Sequence, residues 1–366
     1  MHSRVSEYRV EGLLKNPHVQ SVLSSSPWRR RAGAVRLAAL GASSQVHVLN
    51  LPEGIRLAGL YTAAPTPRAD AALALLLHGW EGSAESSYIQ HSAAELLATG
   101  VSVFALNFRD HGQTHGLNEG LFHSCRLQEV IDATRAVHRH YRPGRLVVAG
   151  YSLGGNFALR LALAAEAEQL PIAAAFAVCP PVDPSAVLRE LETGPPFYHW
   201  YFMRKWRASL YRKRALFPQA HAFGDDILRR DMRGLTQWLV GQHTDWPDEE
   251  AYFGGYSVAG ARLAGLRVPT RILAAADDPV IPIASLRGLQ LSDTAMLLLS
   301  TFMFCRLTTL AGLGLLYLSR YKLRVSDLFQ HTIVSRILGS QRPRGGWPAT
   351  PEVERAPLKL SIVIPA

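Results

Sequence analysis

The amino-acid sequence predicts an α/β fold, with a mostly parallel central sheet and helices on both of its faces. Short apolar runs of strand length alternate along the chain with longer amphipathic stretches. A serine flanked by glycines, Ser152, lies directly between one such run and a helix-prone stretch. Apolar residues make up 48% of the 366 positions, so a sizeable core is possible.

Eight runs are expected to be strands. The first two flank Pro52-Glu53-Gly54, whose composition predicts a hairpin turn. The other six are expected to form the parallel part of the sheet. In chain order, the eight runs are residues 46–51, 55–61, 71–77, 101–107, 146–149, 173–179, 270–276 and 295–299.

Helices are expected between these strands. One covers residues 85–99 and is stopped by Gly100, and a second covers 125–140 and is stopped by Pro143-Gly144. A third, 156–167, follows the glycine-flanked serine. Residues 184–259 interrupt the alternation with aromatic, basic and proline residues, which indicates a helical cap inserted over the carboxyl edge of the sheet.

The chain is thus expected to have three parts. Residues 1–44 form an amino-terminal arm, residues 45–300 form the α/β domain with its cap insertion, and residues 301–366 form an atypical extension.

The first ten residues contain charges and no apolar core, so they do not resemble a secretory signal. Three cysteines at unrelated spacings argue against a disulfide framework, and a cytoplasmic location is expected.

Residues 150–154, Gly-Tyr-Ser-Leu-Gly, have the pattern of a nucleophile elbow. A sharp turn from strand to helix leaves no room for side chains at the flanking positions, and it holds the serine hydroxyl clear of the sheet. Acyl transfer also needs backbone N–H groups where negative charge develops on the carbonyl oxygen. We expect these donors to be Leu153, next to the nucleophile, and Trp80, in the glycine-rich loop after the strand 71–77.

The carboxylate that orients the catalytic base is expected in a loop after a late strand. Asp277 and Asp278 both follow the strand 270–276 and precede prolines that fix the loop. Asp278 is preferred because it stands four residues before the second proline, which is the usual position of the acid in this loop of the fold, with Asp277 as the alternative. Asp183 is a further candidate, and a purely structural role for both adjacent aspartates remains open.

Several motifs together resemble the α/β-hydrolase superfamily, and more narrowly its YheT-like branch of esterases. The matching segments are residues 16–21 (NPHVQS), 78–83 (HGWEGS), 107–112 (NFRDHG), 150–156 (GYSLGGN) and 276–279 (ADDP). The resemblance implies a Ser-Asp-His triad that cleaves carboxylic esters of the esterase or lipase kind through an acyl-enzyme. It also implies a small acyl ester or lipid substrate and no cofactor.

The family places its catalytic histidine in a Gly-Gly-His turn soon after the last strand. Residues 300–305 follow that strand here and contain no histidine. The one histidine after the aspartates is His331, which could act as the base if the intervening chain folds back. Two hypotheses remain: a serine hydrolase that uses Ser152, Asp278 and His331, or a hydrolase-fold protein without a base. The second would be a binding protein, membrane-associated or not, or the product of a fused or frameshifted gene.

A net charge of +10 raises the question of anionic partners. No nucleic-acid-binding motif accompanies the basic residues, so the protein is not expected to bind nucleic acid. The stretch 204–214 mixes basic and aromatic residues, and 295–320 is largely apolar, so both are candidates for membrane contact. The second could be a spanning helix, an interfacial helix or a packed helix. His111, His115 and His123 match no zinc spacing, so no metal is expected. A monomer is expected.

Overall fold

The computed structural model describes residues 15–24, 26–300 and 361–362 of the protein. Its centre is one nine-stranded sheet in the order β1-β2-β4-β3-β5-β6-β7-β8-β9. The strands are β1 (Ser44–Asn50), β2 (Arg56–Thr62), β3 (Ala72–Leu77), β4 (Ser102–Asn107), β5 (Arg145–Tyr151), β6 (Ile172–Val178), β7 (Thr270–Ala275), β8 (Ala295–Ser300) and β9 (Ser361–Ile362).

The strands from β4 to β8 are parallel, while β1, β2 and β9 run antiparallel to their neighbours. The fold class and the mostly parallel sheet predicted from the sequence are confirmed. The hairpin turn at Pro52–Gly54 is also present, as a short 3-10 turn between β1 and β2. Local apolar patterning was sufficient for the central strands because they are buried on both faces of the sheet, as β3 is, whereas β1 at the edge is largely exposed.

Alternate residues of β3 point into two separate cores, one on each face of the sheet. Leu73, Leu75 and Leu77 pack with one core, whereas Ala74 and Leu76 pack with the other. The helices α3 (Ser87–Ala98), α4 (Leu127–Tyr141) and α5 (Leu153–Ala164) cover these faces. Before them in the chain, α1 (Pro17–Ser24) leads to α2 (Pro27–Ala39), which packs on α3.

Five helices lie in the chain between β6 and β7. They are α6 (Pro184–Thr193), α7 (Pro196–Leu216), α8 (Asp225–Arg229), α9 (Met232–His243) and α10 (Glu249–Tyr256). Three of them begin at an aspartate whose side chain accepts a backbone N–H, namely Asp183, Asp231 and Asp248. Asp183, a candidate acid in the sequence, therefore caps α6. The short helix α11 (Ile283–Arg287) precedes β8.

Strand order reverses at β3, which lies between β4 and β5 although both come later in the chain. In open α/β sheets, such a switch point creates a crevice at the carboxyl ends of the strands. The loop after β3 and the turn after β5 both open into this crevice, so the topology brings the two main sequence motifs together.

Membrane-spanning segments were sought in the described part of the chain. None of the helices there is both long enough and apolar enough to cross a bilayer. Residues 295–300 of the apolar segment form strand β8, and its remainder, 301–320, lies outside the described residues.

Candidate active site

Ser152 occupies a strained turn between β5 and α5. Its φ of 52° and ψ of −122° lie where residues with side chains are rarely found. Its backbone N–H donates to the Val178 carbonyl oxygen at 2.8 Å, which ties the turn to the end of β6. The side chain is partly exposed among buried neighbours. The turn thus presents the hydroxyl group at the crevice.

The flanking glycines are required by contact as well as by the turn. A Cβ atom on Gly150 would overlap the carbonyl oxygen of Gly154, and one on Gly154 would overlap the carbonyl oxygen of Leu77. Both obstacles are backbone atoms, which cannot rotate away. The tight approach of β5, α5 and β3 is therefore possible only with glycine at both positions.

The loop after β3 lies directly against the elbow. A Cβ atom on Gly79 would stand 3.1 Å from the Ser152 Cβ. The preceding residue, His78, is buried: its Nδ1 donates to the Gly79 carbonyl oxygen at 2.8 Å, and its Nε2 accepts the Phe108 N–H at 3.2 Å. Both ring nitrogens are thus used in shaping the loop. The next residue, Trp80, stacks on Phe202 of α7, with ring centroids 5.4 Å apart.

Ser152 opens into a largely apolar cavity between the sheet edge and the helices that follow β6. The cavity contains about 900 Å³ of space outside protein atoms, its mouth included. Trp80 and Leu153 line it next to the serine. Its apolar wall comes mainly from the helices, with Pro184, Val187, Leu188, Leu191, Phe202, Trp206, Met232, Leu239, Phe253 and Tyr256. The polar side chains on its lining include His123, Ser124 and Thr236.

The loop after β7 also reaches this cavity, through Val280 and Ile281. Their backbone N–H groups donate to Oδ1 of Asp278 at 2.9 and 3.0 Å. Burial raises the pKa of the Asp278 carboxyl to about 6, although these hydrogen bonds oppose the shift. The neighbouring Asp277 raises the Asp278 pKa further by its charge. Asp278 is therefore the aspartate that the loop encloses.

Comparison with known proteins agrees with this architecture. A family model for the alpha/beta hydrolase fold matches residues 75–217, which include the loop after β3 and the elbow. A protein of Escherichia coli (strain K12) named "Putative esterase YheT" is 26% identical over 234 residues, which are 63% of this chain and 68% of that protein. The fold is that of the α/β hydrolases. The resemblance to the YheT-like branch that the sequence motifs indicate is confirmed.

Two solved esterases resemble this chain over most of their length. Pyrococcus furiosus esterase Pf2001 is 13% identical with a TM-score of 0.48, over 81% of this chain and 95% of that one. Esterase Est22 is 17% identical with a TM-score of 0.45, over 90% of this chain and 92% of that one. In its fold and in its YheT relative, the chain is similar to esterase-like hydrolases.

Among the described residues, no histidine is hydrogen-bonded to Asp278, where the catalytic base is expected. His331 lies outside them. The Asp278 carboxylate also accepts a hydrogen bond from the thiol of Cys179, which directly follows β6. Burial raises the pKa of this thiol. The sequence did not predict this pair, because about a hundred residues separate Cys179 from Asp278 and Cys179 belongs to none of the recognised motifs.

The histidines of the loop after β4 are buried near the site. His123 lines the cavity, and burial lowers its pKa to about 3, with the charges of Arg126 and Arg109 adding to the effect. Burial likewise lowers the pKa of His111 to about 4. Both are therefore neutral near pH 7. No cluster of metal-ligating side chains occurs among the residues that the structure describes.

The basic stretch 204–214 lies within α7, and one of its lysines is buried. Lys213 is only 1% exposed, and its Nζ lies 2.6 Å from Oδ1 of Asp110. It also donates to the carbonyl oxygens of Asn118 and His115, at 2.5 and 3.3 Å. Composition alone could not reveal that one lysine of the cluster turns inward and joins α7 to the loop after β4.

Proposed function

We propose that this protein hydrolyses carboxylic esters with an apolar acyl group, and that Ser152 is the nucleophile. The observation that carries the proposal is the strained, glycine-bounded turn that holds the Ser152 side chain at the wall of an apolar cavity. Strained backbone of this kind persists only where the surrounding structure enforces it, and it is concentrated at functional sites.

Two backbone amides are suitable for stabilising the oxyanion. Trp80 and Leu153 both line the cavity beside Ser152. Neither backbone N–H donates a hydrogen bond to another protein group among the described residues. Each can therefore donate to the oxygen of a tetrahedral intermediate, where fixed donors contribute most to the rate.

Asp278 is proposed as the orienting acid, with Asp277 as the alternative, and His331 as the base. In this scheme, His331 takes the proton of the Ser152 hydroxyl as its oxygen attacks the ester carbonyl, and gives it to the departing alcohol. Water then attacks the acyl-enzyme and releases the acid. The Asp278 carboxylate is needed in its ionised form, so activity should rise as the pH increases through about 6.

The lining of the cavity indicates the acyl side of the substrate. Its wall combines aliphatic and aromatic side chains with few polar groups. Such a wall favours a hydrocarbon chain, because the chain's apolar surface is removed from water there. The described residues of the wall include no charged group that would select a polar acid. Acylglycerols and other acyl lipids belong to this class.

The alternative function is binding without efficient turnover. It is favoured by one observation: among the described residues, the groups bonded to the Asp278 carboxylate are two backbone amides and a thiol, with no histidine. A protein of this kind would retain the cavity and bind acyl ligands. Loss of the base from a triad removes several orders of magnitude from the rate.

Labelling with a fluorophosphonate probe tests both functions. We expect the parent chain to be labelled and Ser152→Ala to be unlabelled, because the probe reacts with an activated serine. Ser44→Ala, on the edge strand β1, is the matched serine control. His331→Ala should slow labelling about a thousandfold or more, while His140→Ala, on the exposed end of α4, should not. An unlabelled parent chain that still binds a fluorescent fatty acid would establish the alternative.

A further inference from the structure

Several large apolar side chains remain exposed on α1, α2 and the first half of α7. The exposed fractions are 51% for Val22, 80% for Trp28, 40% for Phe197 and 60% for Trp200. Isolated exposed apolar residues are common, but two largely exposed tryptophans within one region are not, because tryptophan is usually well buried. This set, together with Arg31 and Arg204, is called the aromatic-basic face below.

Contacts within the fold place these helices next to one another. Arg30 of α2 pairs with Glu85 at 2.9 Å, and Lys205 of α7 donates to the Glu81 carbonyl oxygen at 2.8 Å. Glu81 and Glu85 belong to the loop after β3. In addition, His18 of α1 lies 3.0 Å from the hydroxyl oxygen of Tyr198 on α7. The start of α2 and helix α7 therefore border the same loop, and α1 lies against α7.

The charge of this region has one sign. Helix α2 contains four basic residues and helix α7 six, and neither contains an aspartate or glutamate. Some of these cations are paired with carboxylates of other elements, as Lys213 is with Asp110. Arg31 and Arg204 are exposed, and no described carboxylate is within ion-pair distance of either. Arg204 lies over the Trp200 ring, 5.9 Å from its centroid.

The first half of α7 has two contrasting faces. Phe197, Trp200 and Arg204 follow one another at helical spacing on the outside. Phe202 and Trp206, on the opposite side, line the cavity that contains Ser152. The same helix thus carries exposed aromatic and basic groups outward and forms the wall of an apolar cavity inward.

We propose that the aromatic-basic face docks this protein on the surface of anionic lipid bilayers. Tryptophan and phenylalanine side chains enter the boundary between headgroups and acyl chains, while arginines bind the anionic headgroups above them. The placement of the face, on the helix that walls the cavity, would bring a bilayer beside the site where acyl groups are expected to enter. Docking itself does not depend on turnover at Ser152.

Sedimentation of the full chain with lipid vesicles tests whether the aromatic-basic face docks on anionic bilayers. The expected result is binding to vesicles of phosphatidylcholine with phosphatidylserine, weaker binding to phosphatidylcholine alone, and loss of the difference at high salt. Arg31→Gln and Arg204→Gln should each weaken binding to the anionic vesicles about fivefold. The double variant Trp28→Ala/Trp200→Ala should weaken binding to both kinds of vesicle.

Matched controls separate this face from general effects of charge and exposed apolar area. Val46→Ala removes an apolar side chain that is 72% exposed on β1, and Arg267→Gln removes an exposed arginine that pairs with Glu166. Both should bind vesicles like the parent chain, as should Ser152→Ala. Equal binding by the parent chain and the two-tryptophan variant would overturn the proposal. So would self-association, seen by light scattering, that the tryptophan substitutions abolish in the absence of vesicles.

Discussion

Replacing Gly150 should destabilise the fold, because a Cβ atom there would overlap a backbone carbonyl oxygen. Gly150→Ala should lower the free energy of unfolding by about 2 kcal/mol or more, since the backbone itself must move. Gly241 is the control: it lies within α9, is exposed, and has no atom within 4 Å of an added Cβ. Gly241→Ala should be neutral or stabilising by about 0.5 kcal/mol. Urea denaturation of both variants measures the contrast, and equal stabilities would contradict it.

The raised pKa of Asp278 makes the stability of the fold depend on pH, with stability decreasing as the pH rises. Its folded pKa of about 6 lies above the reference value of 3.8, so the folded state holds the proton more tightly than the unfolded state. The resulting contribution to stability is complete below about pH 4 and is lost as the pH rises through about 6. Asp278→Asn cannot ionise and should therefore gain stability relative to the parent chain between these values.

Chemical denaturation at several pH values measures this relative gain. Asp248→Asn is the control, because asparagine caps a helix as well as aspartate does and Asp248 caps α10 at the surface. A constant stability difference between Asp278→Asn and the parent chain across this range would show that the carboxyl titrates at its ordinary value. The proposed catalytic role needs the ionised form, so stability and function would oppose each other at this residue.

The residues of the site differ in how far the sequence could predict their surroundings. The elbow at Ser152 and its glycines could be predicted, because the closest approach, that of Gly150 to Gly154, lies within five residues of chain. The loop of Asp278 could also be placed, since a carboxylate after a late strand lies at the same sheet edge. The contact of Asp278 with Cys179 could not, because it depends on which strands become neighbours in space.

At the scale of elements, the ion pair of Lys213 with Asp110 joins helix α7 to the loop after β4. Both side chains are at most 6% exposed, so removing one leaves the other as an unpaired buried charge. Lys213→Met should cost about 3–5 kcal/mol of stability. The double variant Lys213→Met/Asp110→Asn should recover part of that loss, because asparagine tolerates the positive φ of 59° at this position.

A double-mutant cycle in urea measures the coupling between these two side chains. The pair of Arg267 and Glu166 is the control, since both side chains are more than 70% exposed, and its cycle should show little coupling. Additive effects of Lys213→Met and Asp110→Asn would mean that the buried pair does not hold α7 in place. A retained fold with a displaced α7 would also alter the cavity, because Phe202 and Trp206 are on the same helix.

Elements were predictable to different extents for a physical reason. The central strands could be assigned to within a few residues because they are nearly continuous apolar runs bounded by turns. The sequence predicts a helical insertion over 184–259, but its five helices could not be separated. Helix α7 shows why: its aromatic and basic residues serve both the cavity and the surface, so its sequence has no simple apolar stripe.

At the scale of the whole molecule, the cavity exists because two layers meet: the sheet edge supplies Ser152 and the helices after β6 supply the apolar wall. Leu239 of α9 is buried in that wall. Leu239→Trp should fill part of the cavity and lower kcat/KM for p-nitrophenyl laurate about tenfold or more, while p-nitrophenyl acetate is nearly unaffected. Leu163→Trp, on the exposed side of α5, should leave both esters unchanged. Binding of a fluorescent fatty acid gives a second readout that needs no turnover. A uniform loss on long and short esters would place the acyl chain elsewhere than in this cavity.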